Sequence, residues 1–80
     1  MASIALEEVT VGELLRRAAA QVPDRTALVE GIPDAGARRR WTYASLLSES
    51  ERAARALLGR FAPGEHVAVW APNIPEWVVL

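Results

Sequence analysis

The residues that most restrict the fold are Pro63-Gly64-Glu65-His66-Val67-Ala68-Val69-Trp70-Ala71-Pro72-Asn73-Ile74-Pro75-Glu76-Trp77. Pro63-Gly64 marks a turn. From Val67 to Ala71 both alternating sets are apolar, with Val67, Val69 and Ala71 on one side and Ala68 and Trp70 on the other. Two apolar faces suit a strand inside a parallel sheet that is covered on both sides, so a buried strand is predicted here. Pro72 cannot donate to a ladder and ends it. Asn73 is a natural N-cap for a helix that starts next, and Pro75 is tolerated in its first turn.

The last four residues, Trp77-Val78-Val79-Leu80, are apolar, with no glycine cap and no charged last turn. Helices normally close with such signals, and four exposed apolar residues favour aggregation. The expectation is a segment of a longer protein that continues past Leu80, with Met1-Ala2-Ser3 as its natural start. The competing expectation is an apolar terminus docked into its own small core.

Upstream, residues 1–9 carry little pattern and read as a lead-in. Thr10-Val11-Gly12-Glu13 is a capping box. Val11, Leu14, Leu15, Ala18 and Val22 follow at helical spacing, and Pro23 closes this helix by about Gln21. Thr26 to Glu30 reads as a short strand. Ile32-Pro33-Asp34-Ala35 fits a β-turn with proline second, and Arg38 to Trp41 returns as the other arm of a hairpin whose charges suit an exposed edge. Thr42 caps a second helix from Tyr43 to about Leu58. Its predicted buried stripe is Leu46, Leu47, Ser50, Ala53, Ala54, Leu57 and Leu58, with Phe61 folding back onto it. Gly59 is the expected left-handed residue after it. The order is helix, β-hairpin, helix, buried strand, helix start, which is an α/β pattern. A buried strand needs neighbours on both edges and the hairpin supplies too few, so the sheet is expected to be incomplete.

Composition excludes several classes of function. The chain has 80 residues, 51% of them hydrophobic and 24% charged, an ordinary globular balance. Such a length buries only about three-fifths of the unfolded surface, near the lower limit for independent folding. The net charge of −1 argues against a nucleic-acid-binding module. All 9 basic residues are arginine, so chemistry that needs a lysine amine cannot reside here. The absence of cysteine removes disulfides, thiolate metal sites and thiol nucleophiles. No apolar run approaches the ~20 residues of a membrane span, and Met1 to Val11 lacks the pattern of a signal peptide. A cytoplasmic protein is the default expectation.

No constellation of reactive residues stands alone. His66 is the single histidine and has no second ligand at a useful spacing. Arg38-Arg39-Arg40 could grip a phosphate, but a charged hairpin edge is the plainer reading. Trp41, Trp70 and Trp77 could stack on a base, yet they sit on different elements and suit packing better. Glu7-Glu8 has nothing to act on. Gly31, Gly36, Gly59 and Gly64 form no phosphate-cradling loop. Ser45, Ser48 and Ser50 lie on a helix with no base nearby. No catalytic, cofactor-binding or metal-binding residue is assigned.

Four pieces nevertheless resemble, in order, the amino-terminal end of the adenylate-forming (AMP-binding) superfamily, which holds AMP-forming acyl-CoA synthetases, nonribosomal peptide synthetase adenylation domains and firefly-type luciferases. They are Thr10-Val11-Gly12-Glu13-Leu14-Leu15 through Val22-Pro23-Asp24-Arg25-Thr26-Ala27-Leu28-Val29; Trp41-Thr42-Tyr43-Ala44-Ser45-Leu46; Ala53 to Leu58; and Gly64-Glu65-His66-Val67-Ala68-Val69 with Pro72-Asn73-Ile74-Pro75-Glu76. Ser45 stands where the family pattern has glutamate, Glu65 where it has aspartate, and the Gly31–Ala37 loop is long. The resemblance implies that residues 10–80 are a partial subdomain of the large N-terminal domain, truncated at its C-terminal end. It implies a fatty-acid–CoA ligase parent in which a carboxylate meets Mg-ATP to give an acyl-adenylate, then coenzyme A. The family's phosphate loop, ribose-binding aspartate and catalytic lysine have no counterpart here. The segment alone is therefore expected to be inert and to bind neither ATP, Mg2+ nor coenzyme A. Its expected partner is the remainder of its own domain, and the parent's a small carboxylic acid. Two alternatives stay open: an adenylation domain that loads a carrier protein, and a self-contained α/β interaction module.

Overall fold

The computed structural model describes residues 8–80, so most of the lead-in and Glu7 lie outside the described residues. Helix α1, Val11–Gln21, begins where Thr10 Oγ1 accepts the Glu13 amide at 3.1 Å. This is the hydroxyl half of the expected capping box; the Glu13 carboxylate lies against Arg17 at 3.5 Å. The helix stops before Pro23, as expected, with the Val22 amide still bonded to the Ala18 carbonyl. Its inner side is narrower than the predicted stripe. Ala19 is buried and Leu15, Ala18 and Val22 are partly covered, whereas Val11 and Leu14 are 84% and 52% exposed. Among the described residues α2 alone packs on α1, and one neighbour cannot bury a full apolar face.

Strand β1, Thr26–Val29, pairs antiparallel with β2, Arg40–Thr42, in the register Thr26 with Thr42, Leu28 with Trp41 and Val29 with Arg40. The extra residue Ala27 makes a bulge. The hairpin is therefore present, but its turn is displaced. Asp34 Oδ1 accepts the Gly36 amide at 3.0 Å and Asp34 O the Ala37 amide at 3.1 Å, setting a 3₁₀ turn over Ala35–Ala37. An Asx contact outcompetes the expected proline-led turn two residues earlier.

Helix α2, Tyr43–Leu58, follows β2 without a linker. Thr42 Oγ1 accepts the Ser45 amide at 3.1 Å, and the Ser45 hydroxyl donates to the Thr42 carbonyl at 3.1 Å. Ser45, which stands where the family pattern has glutamate, thus supports the helix start. The next amides are met from another part of the chain: Tyr43 N–H bonds to Arg25 O and Ala44 N–H to Pro23 O. Leu46 is buried and Leu47, Ser50, Ala53 and Leu57 are partly covered, while Ala54 is exposed and Leu58 is 72% exposed. Gly59 is not left-handed: its φ and ψ are −77° and −12°. The chain leaves α2 by a right-handed turn in which the Arg60 and Phe61 amides both bond to Leu57 O.

The left-handed glycine is Gly64, with φ 85°. With Pro63 before it and Glu65 N–H bonded to Ala62 O at 3.2 Å, residues 62–65 form a type II turn. The predicted strand that should follow does not form. The described sheet contains β1 and β2 only, and Val67, Val69 and Trp70 are exposed, Trp70 completely. A strand apolar on both faces has nothing to bury against without flanking strands and covering helices. The helix after it, α3, is the single turn Glu76–Val79. Pro75 occupies its N-cap position with no side-chain bond, so Asn73 does not cap it. The described buried residues are Ala19, Trp41, Leu46 and Pro75. The Cα radius of gyration is 15.3 Å, against about 12 Å for a compact domain of this length. The α/β character is as expected, and the packing is open.

Candidate functional site

Two features of the open packing have chemical content: a charged cluster on the hairpin and the uncovered apolar grooves. The cluster is built on alternate residues. Trp41 points into the core from β2, and its Nε1–H donates to Glu49 Oε2 of α2 at 3.0 Å. Arg39 lies across the Trp41 ring, its Cζ 5.2 Å from the centroid. The same guanidinium forks onto Glu30 Oε2, at 3.1 Å from Nε and 2.7 Å from Nη2. Nη2 also reaches Glu76 Oε1 at 2.8 Å. Glu30 accepts the Arg39 amide as well, at 3.3 Å. These bonds hold the Glu30 carboxyl below its ordinary range and push the Arg39 guanidinium further up.

The described surface also carries three open grooves. One, ≈ 330 Å³, is walled by Ala54, Leu57, Leu58, Phe61, Pro63 and Val67 and is almost wholly apolar. Phe61 folds back against α2 here, as predicted, and stays 38% exposed. A second, ≈ 230 Å³, lies between β1 and α3, lined by Leu28, Val29, Ile74, Trp77 and Val78 among others. The third, ≈ 380 Å³, lies between α2 and α3 and includes Glu49, Arg52 and Val79.

The candidate residues from the sequence disperse. His66 is exposed, as is Arg40. Arg38 Nε is bonded to Ile32 O at 2.7 Å, and Arg39 is already compensated by two carboxylates, so the arginine run does not present a joint phosphate grip. Trp41 is core; Trp77 is half-exposed with its Nε1–H on Ala71 O at 3.2 Å; Trp70 is free of both. The Ser45 hydroxyl is part of the α2 cap, and Ser50 Oγ is buried without a partner. Sequence reading missed Glu30, Glu49 and Glu76 as partners. The hairpin register places Glu30 beside Arg39, so that pair could have been found; Glu76 comes from far along the chain and gives no local signal.

The AMP-binding enzyme family model matches residues 15–80. The chain belongs to the AMP-binding enzyme family. Among curated relatives, it is 40% identical over 72 residues to YngI of Bacillus subtilis, named as an acyl-CoA synthetase, with 89% of this chain aligned to 12% of that protein. It is 37% identical over 76 residues to the human mitochondrial medium-chain acyl-CoA ligase ACSF2, 94% of this chain against 12% of the relative. It is 40% identical over 77 residues to the acyl-CoA ligase SID4 of Ajellomyces capsulatus, 95% against 12%. The chain spans about one-eighth of the length of the curated relatives it matches. No solved structure matches it.

There is no lysine for a phosphate and no glycine-rich loop. Among the described residues no group of three or more His, Cys, Asp or Glu converges as a metal site, and the groove walled by Ala54, Leu57 and Phe61 is lined by no basic side chain. No described helix is long and apolar enough to cross a membrane.

Proposed function

We propose that this segment is the amino-terminal scaffold of an ATP-dependent, AMP-forming acid–CoA ligase, built to be covered by the rest of its large domain and without catalytic residues of its own. The observation that carries this reading is the alignment of nearly the whole chain with about one-eighth of acyl-CoA ligases. The uncovered apolar surface supports it: Val67, Val69 and Trp70, with the grooves beside them, have the composition of a domain interior and the exposure of a surface. A self-contained interaction module would bury such residues to reach even marginal stability. The relatives named above are CoA ligases, which supports coenzyme A over a carrier protein as acceptor. ATP, Mg2+ and the carboxylic acid belong, in this reading, to residues outside the segment. Activity on fatty acids and a cytoplasmic location are part of the same proposal.

The test is carboxylate-dependent exchange of pyrophosphate into ATP, measured on the full-length protein and on the 80-residue segment. Exchange by the full-length protein with at least one carboxylic acid, and none by the segment, is the expected result. Exchange by the segment alone would overturn the scaffold reading. A folded full-length protein inert toward every acid would overturn the ligase reading.

A further inference from the structure

We draw no further inference here: the strongest candidate, the apolar groove walled by the carboxy-terminal half of α2 and residues 61–67, is an unpartnered face, and nothing in the structure shows what covers it beyond the remainder of the domain already proposed.

Discussion

Substitution of Trp41 separates packing from hydrogen bonding at the centre of the fold. The side chain is 8% exposed, bonded to Glu49 and covered by Arg39. Trp41→Ala removes a buried indole of roughly 150–250 Å², and large-to-small changes of this kind cost about 3–5 kcal/mol. Trp41→Phe keeps most of the ring and a face for Arg39. It loses about 40 Å² of apolar area, worth ~1 kcal/mol, and a bond to a carboxylate. Glu49 is exposed, so its freed carboxylate returns to water and the bond loss stays near ~1 kcal/mol. The expected sum is about 2 kcal/mol, roughly half the cost of alanine. Thermal unfolding followed by circular dichroism measures both, since ~1 kcal/mol shifts the midpoint by about 4–8 °C in a domain of this size. A double-mutant cycle of Trp41→Phe with Glu49→Ala should show a coupling of about 1 kcal/mol. Equal losses for phenylalanine and alanine, with no coupling to Glu49, would refute the assignment of the indole as both packed and bonded.

Gly64→Ala should destabilise the chain by about 1 kcal/mol, because the left-handed φ of 85° is strained for any side chain. Gly59→Ala should be neutral or stabilise by up to about 1 kcal/mol, since Gly59 is right-handed and its added methyl would meet only Ala56 O at 3.5 Å; urea midpoints of the two variants decide the order. Trp70→Ser should leave the stability of the isolated segment within about 0.5 kcal/mol, as befits an exposed side chain. In the full-length protein the same change should lower the unfolding midpoint by several degrees, and a midpoint unmoved there would argue that Trp70 is never covered.

The elements that were legible in the sequence are those whose determinants are local. Thr10 and Thr42 announce their helices by hydroxyls that meet amides three residues on, and Pro23 ends α1 by its own chemistry. Both arms of the hairpin were expected, at Thr26 to Glu30 and Arg38 to Trp41, and they form at Thr26–Val29 and Arg40–Thr42. What was not legible depends on what lies beside an element. Val67 to Ala71 has the composition of an inner strand, but strand formation needs partners, and among the described residues β1 and β2 pair with each other alone. Gly59 was expected to take the left-handed cap because glycine commonly does; here the turn to Arg60 and Phe61 closes on Leu57 O without it. At the charged cluster, Arg38-Arg39-Arg40 was visible as a run, but not that Arg39 alone would collect Glu30 and Glu76. That depends on a hairpin register and on a helix far along the chain.

The bonds from Pro23 O and Arg25 O to the first amides of α2 have a kinetic consequence. Those amides belong to the set that no helix can satisfy from within. Their acceptors sit at the exit of α1, so the amino end of α2 and the α1–β1 corner form one joint. A transition state with α2 complete at its first turn must already have closed the loop through the hairpin, at a modest entropic cost for so short a span. The two helices and the two strands between them are therefore expected to assemble as a single cooperative event, whereas residues beyond Leu58 have no share in that joint and can order afterwards.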